Sequence, residues 1–431
     1  MKLNNSTGAV TPEGDADVQR RNRKAYLFFA TCLTANSAIC GESLLVLIAV
    51  RFGFGDTFCT LIGSFLYLGY LVLPSGYYFA ARCGVVKSIA MQTMVSVLGS
   101  LLTLLAALIF PFSARTAQYM LTVGTMIFFA AKSSGSAMLL PLQANISNEH
   151  NRPHMLGKIA VCSNVAALMS TVAIALAMHF FKSSRTYPVL LGGGALLGTV
   201  SALSLLWLRE PPILRAIAGY PVFRQIVLAW HEPLIRKQLL LGCCLNMSLV
   251  MLVPVEMLAV KHGMDFVDAK VTAMWAVKVA ASIAGAALWS FLARRFGSSK
   301  VCTYAVMLIP LLCLFWLLTP FPLMANIAFL PFLVSGVMIV FYSNSLLDFF
   351  MKSVSAPKQQ GGSLLIMVIT GGVAGLLGFV LNALIFWGIE KLLLLQENSL
   401  EFYRTYFTVA GLLFLFPLCC PGFHKAMREF R

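Results

Sequence analysis

Apolar runs long enough to cross a bilayer, each ended by a short polar or glycine-bearing break, follow one another from Ala25 to near the end of the chain. A spanning helix takes about 20 mostly apolar residues, and twelve runs reach that length. They are 25–50, 57–81, 85–110, 117–142, 156–181 and 187–208, then 237–261, 268–293, 300–319, 323–350, 362–390 and 402–421. The pattern predicts an all-α integral membrane protein with twelve transmembrane helices in two pseudo-symmetric six-helix bundles. The expected units are a polar tail (1–24), a first bundle (25–208), a linker (209–236), a second bundle (237–421) and a short tail (422–431). The linker carries PVFRQIVLAWHEPLIRKQ, whose Trp230 and apolar positions suit either a short helix at the membrane surface or an ordinary connection. No small-residue cleavage site follows a short apolar core at the N-terminus, so no cleavable leader is expected.

Composition agrees with a membrane protein. Hydrophobic residues make up 59% of the 431 and charged ones 11%, a balance that a single soluble core cannot bury. The formal charge of +16 would suggest nucleic acid in a soluble protein. Here orientation explains it better. With both termini in the cytoplasm, 22 of the 32 lysines and arginines fall on inner segments. Eight fall on outer ones: Arg51, Arg115, Lys182, Arg185, Lys261, Lys270, Lys391 and Arg404. That asymmetry puts both termini on the cytoplasmic side, and the expected location is a plasma membrane, the inner one in bacteria. The 11 cysteines form no CxxC pair and lie mostly in apolar runs, and none of the six histidines makes an HExxH pair. No metal, cofactor, nucleotide or enzyme constellation is legible.

The two remaining basic residues lie within spans. Lys132 falls near the middle of the fourth, followed by Ser133, Ser134, Gly135 and Ser136, and Lys278 lies in the eighth with Trp275 one turn before it. A charge at the centre of a spanning helix costs roughly 2.5–3.5 kcal/mol on insertion scales, so it normally faces a wet cavity or a partner charge. Lys132 is read either as a substrate ligand or as the partner of a buried carboxylate. Glu42 and Glu256 occupy similar places in the first and seventh spans. They are candidate proton carriers, with a structural ion pair to either lysine, or a place at the wet rim, as the alternative.

The chain also repeats itself. Ala80, Arg82, Gly84 and Lys87 spell A-x-R-x-G-x-x-K between the second and third spans. Ala293, Arg295, Gly297 and Lys300 repeat it 213 positions later, between the eighth and ninth. Two matches at equivalent places indicate duplication. These turns resemble the G-x-x-x-D-R-x-G-R-[KR] loop of the major facilitator superfamily of secondary transporters, and the twelve spans and long linker extend the resemblance over 25–421. The family's aspartate position is Ala81 in one half and Arg294 in the other, and Val85 replaces its second arginine. The chain therefore lacks that loop's acidic partner.

The resemblance implies that the first, fourth, seventh and tenth spans line a central cavity. Independently, these spans are polar. Their candidate substrate ligands are Asn36, Lys132, Asn246, Tyr342 and Asn344, joined by Lys278 and Trp275 from the eighth. Aromatic residues such as Trp275, Tyr342, Phe128 and Phe129 serve stacking or plain packing. Arg82, Gly84, Arg295, Gly297 and Asp348 are gating candidates, Asp348 either as a solvated cap or against Arg152 or Lys158. Glycines of the eleventh span, including Gly371, Gly372 and Gly375, are candidate hinge positions.

The expected function is secondary active transport of a small organic anion or polar metabolite by alternating access, with a proton as the coupling ion. A sugar facilitator or Na⁺-coupled sugar symporter is the alternative within transport. A sensor or scaffold with the same fold is the alternative outside it.

Overall fold

The computed structural model describes residues 12–146, 152–181, 185–210, 222–318, 323, 326–353, 359–395 and 399–419. Ten helices are long and apolar enough to cross a membrane. Ala114–Ser136, carried on after a turn by Leu139–Ile146, and Leu400–Cys419 complete the twelve. The fourth is the less apolar for the same residues that mark it in the sequence, Lys132 and its serines. The described residues hold helices and no strand, as the bilayer requires of a chain that must satisfy its own backbone.

Several spans are interrupted, the first at a residue that explains the break. The first runs over Pro12–Ile39 and Glu42–Arg51. At Gly41 a Cβ atom would stand 2.2 Å from the Ser37 carbonyl oxygen, so only glycine permits the close approach. The break puts Glu42 in the first turn of the outer half-helix, where a carboxylate meets the positive end of the dipole. The helix begins at Pro12 rather than Ala25, so the basic run Arg20–Lys24 is helical. Asn22 anchors it: its amide nitrogen donates to the Arg209 carbonyl at 3.0 Å, and its oxygen accepts from the Arg209 amide at 3.0 Å.

The second span is Asp56–Leu68, a 3₁₀ turn over Gly69–Val72, and Leu73–Cys83. The eleventh has a π segment, Met367–Val373, between Gln359–Ile366 and Ala374–Leu392. These two irregular segments pack against each other across the bundles. A Cβ on Gly371 would lie 2.5 Å from the Tyr70 ring, and one on Gly372 would lie 2.6 Å from the Leu71 side chain.

The repeated turns share one backbone. Gly84 has φ 92°, ψ 155°, and Gly297 has φ 85°, ψ 147°. Each glycine ends one span and starts the next at a positive φ that other residues rarely adopt. The linker forms a short helix, Val222–Trp230, which buries Ala229 and leaves Val227, Leu228 and Trp230 exposed.

The bundles meet unequally at the two ends. One apolar cluster runs from Leu44–Phe52 through Met251–Val260 to Phe402–Phe414, so both halves share a core on the face opposite the chain's start. There Ile174 and Met178 of the fifth span, and Val271 and Met274 of the eighth, are buried. Toward the basic face the continuation of the same buried stripes is exposed, at Ala160 and Asn164 of the fifth span and at Leu288 of the eighth. The molecule is closed on one side and parts toward the basic side.

Candidate functional site

Three of the four intramembrane charges come together. Glu256 is fully buried and Lys278 nearly so, with Lys278 Nζ 3.7 Å from Glu256 Oε2. Trp275 lies one turn away, its ring centre 4.6 Å from the same ammonium. Ser335 of the tenth span stands beside Glu256. Glu42 reaches the group from the first span, within electrostatic range of both Lys278 and Glu256. The Cβ position of Gly63 is 3.2 Å from Glu42 Oε1 and 3.0 Å from the Pro254 ring, so Glu42 is wedged between the second and seventh spans. Glu42 Oε1 and both Glu256 oxygens are buried without a hydrogen bond among the described residues. Two carboxylates thus compete for one ammonium, and a proton on either acid would balance the charge.

Lys132 stands apart. Among the described residues no carboxylate lies within 4.0 Å of its Nζ. Its neighbours are the Phe128 and Phe129 rings, with centres 5.9 and 6.0 Å away, and Cys40 at the break in the first span. Phe128 and Phe129 are themselves buried in the packing. The next residues hold the helix in place: the Ser134 and Ser75 hydroxyls are 2.7 Å apart, which ties the fourth span to the second. Of the two readings of Lys132, the described residues offer it no carboxylate partner, whereas Lys278 has one.

Among the polar candidates, the Tyr342 hydroxyl donates to Asn246 Oδ1, joining the tenth span to the seventh. Asn344, two residues on, is turned about 200° around the helix from Tyr342 and lies away from that pair. Asn36 also lies elsewhere: it is 1% exposed, and its amide donates to the Gly194 carbonyl of the sixth span at 2.6 Å. That contact is packing, because at 100° per residue position 36 faces the sixth span. The structure adds Tyr67 and Tyr70 of the second span, which lie within electrostatic range of Tyr342, Tyr67 also of Glu42. Tyrosine in an apolar run gives little signal of this kind. Their i, i+3 spacing around Gly69 is the one hint that both face the same way.

Polar contacts close the face opposite the chain's start. Asp56 of the second span is 1% exposed and takes His262 Nδ1 at 2.9 Å and the Tyr403 hydroxyl at 2.5 Å, both from the other bundle. Beside it the Tyr187 hydroxyl donates to Asp268, which also pairs with Lys261 at 2.5 Å. Arg51 covers the Tyr187 ring at 5.0 Å. None of these cross-bundle pairs was expected from the sequence. Asp56 reads there as an ordinary first-turn acid, and its partners lie 206 and 347 positions away.

On the basic face the gating candidates sit at the repeated turns. Arg82 stacks on Tyr78 at 4.2 Å and Arg295 lies 5.4 Å from the Phe296 ring centre. Glu210 Oε2 accepts from the Val86 amide at 3.2 Å, and it lies 2.7 Å from where a Cβ on Gly84 would be. In the second half, Ser298, next to Gly297, donates to Asp348 at 2.5 Å. A carboxylate therefore reaches the start of the third span and of the ninth, supplied from elsewhere in the chain than the family's loop aspartate. The Arg152 side chain lies outside the described residues, and Lys158 is exposed.

No protein-family model matches the sequence, and no curated protein matches it. Solved structures do. The nucleoside transporter NupG is 15% identical with a TM-score of 0.63, over 94% of this chain and 100% of that one. An autoinhibited POT family peptide transporter is 12% identical with a TM-score of 0.67, over 92% and 96%. A D-xylose-proton symporter is 13% identical with a TM-score of 0.64, over 93% and 97%. At these identities the likeness is one of fold. The chain has the twelve-helix fold of the major facilitator superfamily transporters.

Proposed function

We propose that this chain is a secondary active transporter of a small organic anion, working by alternating access and driven by protons. The observation that carries the reading is Lys132: a cation at the middle of a span, with no carboxylate at hand among the described residues. An ammonium in that position needs a wet cavity or a partner charge, and an anionic substrate in the cavity would supply the charge. The substrate's acidic group would dock on Lys132, while Tyr67, Tyr70, Tyr342 and Trp275 receive the rest of the molecule. Glu42 would carry the proton. When it is protonated, Lys278 is left to Glu256 alone and the cluster is neutral. When it is ionised, both acids draw on Lys278, and the contacts between the first, seventh and eighth spans change. Rocking of the bundles about the second and eleventh spans would then expose the site to either side.

The tyrosine hydroxyls and Asn246 favour a second reading, a neutral hydroxylated solute such as a sugar, since each can donate or accept. Uptake into proteoliposomes separates the two. Labelled carboxylates and labelled sugars are offered under an imposed proton gradient, a sodium gradient and none. Carboxylate accumulation that follows the proton gradient supports the proposal. Sugar uptake alone supports the second reading. Absence of flux for every solute under every gradient would leave a non-transporting membrane protein.

A further inference from the structure

A cavity of about 830 Å³ opens at the edge of the basic face, between the start of the first span and the end of the sixth. Arg20, Arg21, Lys24, Ala25, Phe28 and Trp207 line it. Positions 20, 21, 24 and 28 fall on one face of a helix, so three cations stand above an aromatic residue one turn deeper. Phe28 and Trp207 are 46% and 60% exposed. They continue the cavity toward the apolar belt of the protein.

The cations are available and the frame is fixed. The neighbouring Arg23 points elsewhere and donates to the Ile146 carbonyl at 3.2 Å and to Gln19 at 3.4 Å. Among the described residues none of Arg20, Arg21 and Lys24 has a carboxylate within 4.0 Å. The two-way contact between Asn22, itself 4% exposed, and the Arg209 backbone holds the two helices that form the walls. Three like charges are thus converged on one opening by a buried hydrogen-bonded clamp, and an anion bound there would offset their mutual repulsion. The cavity is large enough for a small ligand. Its layout, cations at the interface with aromatic surface below, matches a phosphate head group with an attached acyl chain.

We infer that this cavity is a binding site for an anionic glycerophospholipid, with the phosphate held by Arg20, Arg21 and Lys24 and the acyl chain laid along Phe28 and Trp207. The inference does not depend on what the protein transports.

Native mass spectrometry of the full chain, released from vesicles of equal phosphatidylglycerol and phosphatidylcholine, tests it. Preferential retention of phosphatidylglycerol is expected. An interfacial cation contributes roughly fivefold to binding of an anionic lipid, so R20Q/R21Q/K24Q should weaken retention on the order of a hundredfold. Arg224→Gln, an exposed cation of the linker helix, should change it little. Should the triple variant fail to fold, quenching decides with the native residues in place: brominated phosphatidylglycerol should quench Trp207 fluorescence more than brominated phosphatidylcholine. The difference should vanish in Trp207→Phe. Glycerol 3-phosphate and inorganic phosphate form the remaining arm. Equal retention of both lipids, an unaffected triple variant, or displacement of the lipid by millimolar glycerol 3-phosphate would each overturn the assignment. The last would mark a site for soluble phosphate esters.

Discussion

At the scale of single residues, the four intramembrane charges divide into a set of three and a lone lysine. That division makes Lys132 and Glu42 separately testable. Lys132→Gln removes a charge while leaving no buried carboxylate stranded, so the variant should fold and melt like the wild type. A hydrogen bond to a charged group contributes about 1.5–3 kcal/mol, and each 1.4 kcal/mol is tenfold. Substrate affinity, by equilibrium binding, should fall roughly ten- to a hundredfold. Unaltered affinity in a well-folded variant would remove Lys132 from the site. Glu42→Gln keeps the shape of the side chain but cannot release a proton. Accumulation against a gradient should be lost while exchange of substrate across the membrane persists. Accumulation at the wild-type level would take Glu42 out of coupling. These four residues were legible in the sequence because an apolar span makes any charge conspicuous and costly. Tyr67, Tyr70, Asp56 and His262 were not. A tyrosine in an oily run or an acid at a helix start has a bland explanation, and which spans face each other depends on rotations that uniformly apolar helices do not reveal. Asn36 shows the converse: polar and in a cavity-lining span, it is nonetheless turned into the sixth span.

At the scale of elements, breaks in the helices aim side chains in ways that the apolar pattern conceals. The break at Cys40–Gly41 could not be read from a run that contains glycine and cysteine like many others, yet it sets the direction of Glu42. The repeated A-x-R-x-G-x-x-K turns were readable, and their glycines share a backbone to within a few degrees. The eleventh-span glycines were readable as a group, whereas their partner, the 3₁₀ turn of the second span, was not. That contact is the pivot on which the proposed rocking depends. Gly372→Val would drive side-chain carbons into Leu71, whose backbone nitrogen is only 3.0 Å from the new Cβ. Overpacking of this kind costs about 1–3 kcal/mol. The variant should melt at a lower temperature and transport slowly, with substrate affinity nearly unchanged. A wild-type rate would move the pivot elsewhere.

At the scale of the whole molecule, the closed face is held by a shared apolar core and by polar contacts centred on Asp56 and Asp268. Asp56→Asn keeps the side-chain volume but removes the charge that His262 and Tyr403 both address. The bundles should then separate more readily on that face. A cysteine introduced at Leu45, which is buried behind the closure, should react with a membrane-impermeant maleimide several times faster in the Asp56→Asn background. Equal labelling rates would show that the apolar core alone keeps the face shut.

The unequal closure also bears on how strongly substrate is held from each side. A site that faces the opposite side in only a fraction of molecules binds from that side with an affinity reduced by the same fraction. If separating the two polar clusters and the core costs about 2.8 kcal/mol, roughly one molecule in a hundred is available there. Half-saturation measured from the closed side should then need about a hundredfold more substrate than from the basic side. Oriented vesicles, supplied with substrate from one side and then from the other with no gradient imposed, should give the two half-saturation values directly, and equal values would show that the two states are equally populated. The same folded chain would be given different apparent affinities by two laboratories that differ only in which way round it was inserted.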